Sequence, residues 1–164
     1  MNLEALKRIL PWLALAALVA LADQASKSAI SADLRMGEVR GVTQFFNLVI
    51  AHNRGAAFSF LSDAGGWQRA LFIVIAVVAT ALIVMMLLRH SSERVFSAGL
   101  ALILGGALGN LWDRIALGYV VDFLDFHAFG WHFWAFNLAD SAITVGAGLL
   151  ILDGLRAAGT ARKA

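Results

Sequence analysis

The chain has 164 residues, 60% of them hydrophobic and 15% charged, with mean hydropathy +0.78; soluble domains are about half apolar and about a quarter charged. That balance excludes an ordinary soluble domain and points to one integral membrane domain over residues 1–164, so the +2 formal charge and pI near 9.5 orient helices rather than bind nucleic acid. With no cysteine, disulfides, thiolate nucleophiles and cysteine-held metals are also excluded.

In chain order, the first apolar segment runs from about Ile9 to Ala29, with Pro11 expected in its first helical turn. Lys7-Arg8 before it and small residues after it also suit a cleavable leader. Cleavage would leave three spans and set the second against the charge bias, so the segment is read as retained. Near its end, Asp23 and Lys27 form an i,i+4 pair in the favourable order, read as a structural ion pair.

Residues 31–66 do not form a span. "GVTQFFNLVIAHNRGAAFSFL" is rich in β-branched and aromatic residues and carries a turn signal at Asn53-Arg54-Gly55. A small antiparallel sheet on the membrane surface is expected, with Phe45, Phe46, Phe58 and Phe60 dipping into the interface.

The second span, Leu71–Leu88, carries no charge. The third, from Val95 to about Ile115, places Ser97, Ala101, Gly105 and Gly109 on one face, a spacing that lets another helix approach closely. Asn110, Asp113 and Arg114 follow. Asn110 and Arg114 share a face, while Asp113 and Arg114 read most simply as a surface salt bridge at the helix end. Aromatic residues around 126–136 suggest an interfacial belt. The fourth span runs from about Phe136 to Leu152.

Basic residues flank the spans unevenly. Placing Lys7, Arg8, Arg89, Arg94, Arg156, Arg162 and Lys163 in the cytoplasm puts both termini there and sends 30–70 and 116–135 to the other side. The expected fold is an all-α membrane protein with four transmembrane helices, a small extracytoplasmic β-sheet and a second extracytoplasmic segment.

In that topology Asp122, just past span three, and Asp140, about one turn into span four, lie at one depth on one side. Two carboxyls close together in a low dielectric share a proton. One can then activate water while its protonated partner polarises a carbonyl, which is aspartyl peptide hydrolysis without a metal or cofactor. The plainer alternative makes Asp140 a helix cap and Asp122 a solvated loop residue. Asp122, Asp125, His127 and His132 match no metal-ligand spacing strongly, and Ser141 lacks a convincing histidine partner.

Five stretches occur in order: "VALADQASK", "NRGAAFSF", "GGALGNLWDR", "VVDF" and "FNLADSAI". Together they closely resemble the lipoprotein signal peptidases (signal peptidase II) over about residues 12–153. The resemblance implies a four-helix aspartic endopeptidase of the bacterial inner membrane that removes signal peptides from prolipoproteins carrying diacylglyceryl-cysteine. It implies Asp122 and Asp140 as the catalytic pair, and Asn53, Gly55, Asn110, Arg114 and Asn137 as the substrate site. Asp23 and Lys27 take a structural role, and globomycin-type cyclic peptides occupy the substrate site. A proton-relaying transporter subunit or a metal-dependent lipid-headgroup enzyme are the rival classes; the first needs an ion gradient and the second is sensitive to chelators.

Overall fold

The computed structural model describes residues 3–55 and 65–161. Four helices, α1 (Leu3–Asp33), α2 (Trp67–His90), α3 (Arg94–Ala116) and α4 (Leu138–Ala161), are each long and apolar enough to cross a bilayer. Strands β1 (Val39–Thr43), β2 (Phe46–Asn53), β3 (Val120–Ala128) and β4 (Trp131–His132) form an antiparallel sheet in chain order. The predominantly helical membrane architecture is as expected.

The helix ends differ from the apolar boundaries. α1 begins earlier than the apolar run, at Leu3, and continues past Ala29 to Asp33. Because of the early start, Pro11 lies inside α1 rather than in its first turn. α4 starts slightly later than expected, at Leu138, and runs on to Ala161.

The sheet also draws on more of the chain than expected. Residues 31–66 supply β1 and β2, while the second segment supplies β3 and β4. Val120 to Phe123 are all buried, so β3 shows no clean alternation of apolar and polar residues. Phe46 packs against Phe126 across the β2–β3 pair, and Phe45 is exposed. Phe58 and Phe60 lie outside the described residues, as do Arg162 and Lys163.

α3 is the hub: α1, α2 and α4 each pack chiefly on it, and it is the most buried helix. Its small residues make this possible. A Cβ at Gly105 would collide with Ala16 and Val19 of α1, and one at Gly106 with Ala139 and Ile143 of α4. Gly99 and Gly146 face each other across the α3–α4 crossing in the same way. Close approach of this kind is how helices associate where lipid supplies no hydrophobic drive.

The two ends of the bundle are built differently. At the end where α1 begins and α4 finishes, Ile9, Ala16, Ile83, Leu87, Leu100 and Leu104 form an apolar core. The short α2–α3 link is fixed there by Trp12 Nε1 donating to the Ser91 carbonyl, 2.9 Å, and Ser97 Oγ donating to that of His90, 2.9 Å. The opposite end carries the sheet and a buried polar network.

Candidate active site

The network starts on α1. Asp23 is completely buried and Lys27 is 4% exposed. The Lys27 ammonium lies 2.8 Å from both Asp23 and Asp113 and donates to Asn110 Oδ1 at 2.9 Å. Asp23 also accepts the Ala139 N–H at 2.9 Å, which sets a carboxylate on the positive N-terminal end of α4. Asp113 accepts from Gln24 at 2.8 Å and from the Val121 N–H at 3.1 Å. Asp113 is thus buried and paired with Lys27; it makes no surface bridge to Arg114. The reason is geometric. Asp113 lies one turn beyond Gly109 on the small-residue face that meets α1, so it points into the bundle.

Asp113 also fixes where β3 begins. Its backbone carbonyl receives the N–H groups of Leu117 and Gly118, and Gly118 at φ 87° turns the chain out of the helix. The side-chain bond to Val121 then anchors the strand one residue before Asp122.

Asp122 is 2% exposed, a strand residue under the sheet rather than a solvated loop residue. One carboxylate oxygen accepts from Asn137 Nδ2 at 2.7 Å and the other from Asn53 Nδ2 at 3.1 Å. Asp140 accepts from Asn110 Nδ2 at 2.8 Å. It also forms a reciprocal cap at the start of α4. Asn137 Oδ1 accepts the Asp140 N–H at 2.9 Å, and Asp140 accepts the Asn137 N–H at 3.3 Å. Helix capping and site geometry are therefore the same feature at Asp140.

Each asparagine is oriented by a second partner. Lys27 claims the Asn110 oxygen, so its nitrogen must face Asp140. The Asp140 N–H claims the Asn137 oxygen, so its nitrogen faces Asp122. The Gly55 N–H claims the Asn53 oxygen at 2.9 Å, with the same result. Burial, and after it the nearby Asp140 charge, push Asp122 up to about 7, against the opposing pull of the Asn53 and Asn137 donors.

Arg114 donates to the Gly55 carbonyl at 2.9 Å and to that of Asn110 at 3.3 Å, and its guanidinium lies over Phe72, 5.2 Å from the ring centre. It ties the Asn53–Gly55 turn to α3. All nine site residues expected from the sequence therefore meet at the sheet end. Gln24 and Asp113 are additions; the helical series through Ser97, Ala101, Gly105 and Gly109, carried one step further, reaches Asp113.

β3 is regular where it passes the bulge in β2, so Asp122 and Asp125 point to opposite faces. Asp125 instead accepts from Asn47 at 2.9 Å and bonds His132 at 2.9 Å. Ser141 Oγ donates to the Asn137 carbonyl, 2.9 Å away.

A cleft of about 670 Å³ opens onto the two carboxyls. α3 forms its floor through Ala107, Asn110 and Arg114, with Phe72, Ile75 and Ala76 of α2 on one side and Ile143, Thr144 and Val145 of α4 on the other. Its charged and amide groups gather at the sheet end, and the remainder is mostly apolar. The arrangement defines a class: a multi-pass membrane protein in which one buried and one half-buried carboxyl face a largely apolar cleft.

Comparison with known proteins narrows the class. The family model for signal peptidase (SPase) II matches residues 15–156. The chain is 59% identical to the lipoprotein signal peptidase of Burkholderia multivorans over 146 residues, 89% of this chain and 88% of that one. It has the same identity and coverage with that of Burkholderia vietnamiensis. A solved bacterial membrane enzyme superposes with TM-score 0.81 at 32% identity, covering 89% of this chain and 88% of the other. A second superposes at 0.77 and 31%, covering 88% and 92%. The chain belongs to the signal peptidase II family.

Proposed function

We propose that this peptidase cleaves the signal peptide from diacylglyceryl-modified prolipoproteins by an aspartyl mechanism, with Asp122 and Asp140 as the catalytic pair. The observation that carries the reading is that both carboxyls, held by asparagine donors, line the polar end of an otherwise apolar cleft. A lipid-bearing substrate moving in the bilayer plane would lay its acyl chains along Ile75, Ala76, Ile143 and Val145. Its scissile bond would then reach the carboxyls at the membrane–water interface.

The pair holds one proton between its two members. The ionised carboxyl takes a proton from water, whose oxygen attacks the scissile carbonyl carbon. The protonated carboxyl meanwhile gives its proton to the carbonyl oxygen. Collapse of the tetrahedral intermediate returns a proton to the departing nitrogen, which becomes the free amine of the lipidated cysteine. No metal or cofactor enters this sequence of steps. Asn53, Gly55, Asn110, Arg114 and Asn137 form the substrate site, and globomycin-type cyclic peptides compete for the same cleft.

The sheet end faces away from the cytoplasm of a bacterial inner membrane, with both termini inside. Lys7, Arg8, Arg89, Arg94 and Arg156 cluster at the terminal end. Two basic residues at the sheet end are paired with acids: Lys27 with Asp23 and Asp113, and Arg40 with Asp33 and Glu38. A reporter active only outside the cytoplasm, fused after Lys163, should be silent.

The direct test of the activity uses purified protein and a lipidated precursor, with no ion gradient and with a chelator present. Cleavage is expected to continue, and the same precursor lacking diacylglycerol should be a poor substrate. Dependence on a gradient or loss to the chelator would overturn the mechanism. Equal cleavage of both precursors would overturn the substrate assignment.

A further inference from the structure

The β3–β4 hairpin closes with two residues, Phe129 and Gly130, between the paired Ala128 and Trp131. Both have positive φ, 51° and 79°. This is the mark of a type I′ turn, whose central positions favour Asn, Asp or Gly. Phe129 is the sole non-glycine residue with positive φ among the described residues, and a bulky side chain is poorly suited to that region. The fold supplies no compensating burial, because the Phe129 side chain is 110% exposed. Strain held without an internal contact directs attention to an external one.

The surroundings identify that contact. Trp131 and Trp134 are exposed beside the turn. Trp67, the first residue of α2, and Trp112, near the end of α3, are exposed at the same end of the bundle. Trp12, at the opposite end, completes the chain's five tryptophans. Tryptophan gathers at the level of lipid headgroups, so the helix ends draw an interface that the hairpin continues. This continuity favours lipid over a polypeptide partner.

We propose that the β3–β4 tip, led by Phe129, inserts into the headgroup–acyl boundary of the leaflet at the sheet end. It would thereby hold the 133–136 wall of the cleft against the bilayer from which substrate enters.

Because the chain has no cysteine, Phe129→Cys takes a single environment-sensitive fluorophore. In vesicles of phosphatidylethanolamine and phosphatidylglycerol, without substrate, quenching by a shallow nitroxide lipid should exceed quenching by aqueous iodide by at least about twofold. Free access of iodide would overturn the proposal. Protection that arises only when lipidated precursor is added would assign the tip to substrate and overturn it as well. Phe129→Asn, which suits the turn, should keep or raise the unfolding temperature in detergent. A fall would mean that Phe129 serves the fold itself, and would equally overturn the proposal.

Discussion

The two halves of α3 solve different problems with the same helix. Toward the chain termini it presents Leu100, Ala101 and Leu104 to an apolar core, where fit is the main requirement. Toward the sheet it presents Asn110 and Asp113, each buried and each bonded to several partners. Errors at the first end should be absorbed as lost packing. At the second they should propagate, since one side chain orients the next.

Lys27 offers the largest contrast. It neutralises Asp23 and Asp113 and fixes the Asn110 amide that holds Asp140. Lys27→Met leaves two buried carboxylates without their cation, a loss of about 3–5 kcal/mol for a broken buried pair. Both the unfolding temperature in detergent and the cleavage rate should fall. At the other end, Leu87 is fully buried, and Leu87→Ala should cost about 2–5 kcal/mol through the cavity it leaves. There, the kcat of the protein that remains folded should stay near wild type. If Leu87→Ala lowers kcat as much as Lys27→Met does, the division between the ends does not hold.

A smaller effect sharpens the polar end. Burial holds the Asp122 carboxyl up at about 7, and the proposed mechanism needs one proton between the two members of the pair. The rate should therefore decline on the alkaline side around that value. The Asn53 donor stabilises the ionised form of Asp122 and holds its pKa down. Asn53→Ala removes that donor, so the alkaline limb should move to higher pH, alongside any fall in rate. A pH–rate series on the two proteins checks the sign; a shift to lower pH would contradict the assigned role.

How much the sequence discloses also differs between the ends. The spans are legible because apolar length alone defines them, and the Gly105–Gly109 face announces its packing. The Asn137–Asp140 cap is local and readable from its spacing. Asp113 is not, because only its place on the α1-facing side separates an internal ion pair from a surface one. The union of β2 with β3 is hidden too. It joins residues far apart in sequence, and a strand buried on both faces loses the alternation that marks strands. The pairing of Ala51 with Asp122 depends on a bulge in β2, which no local pattern signals.

The central claim is that Asp122 and Asp140 act as one acid–base unit. It is tested most directly by cleavage rates of a lipidated precursor with Asp122→Asn, Asp140→Asn and the double variant. Each single change should lower kcat by about a hundredfold to ten-thousandfold, the scale of general acid–base catalysis. The double variant should fall no further than the worse single one, because residues acting as a unit are not additive. Near-wild-type cleavage by either single variant, or losses that multiply in the double, would contradict it.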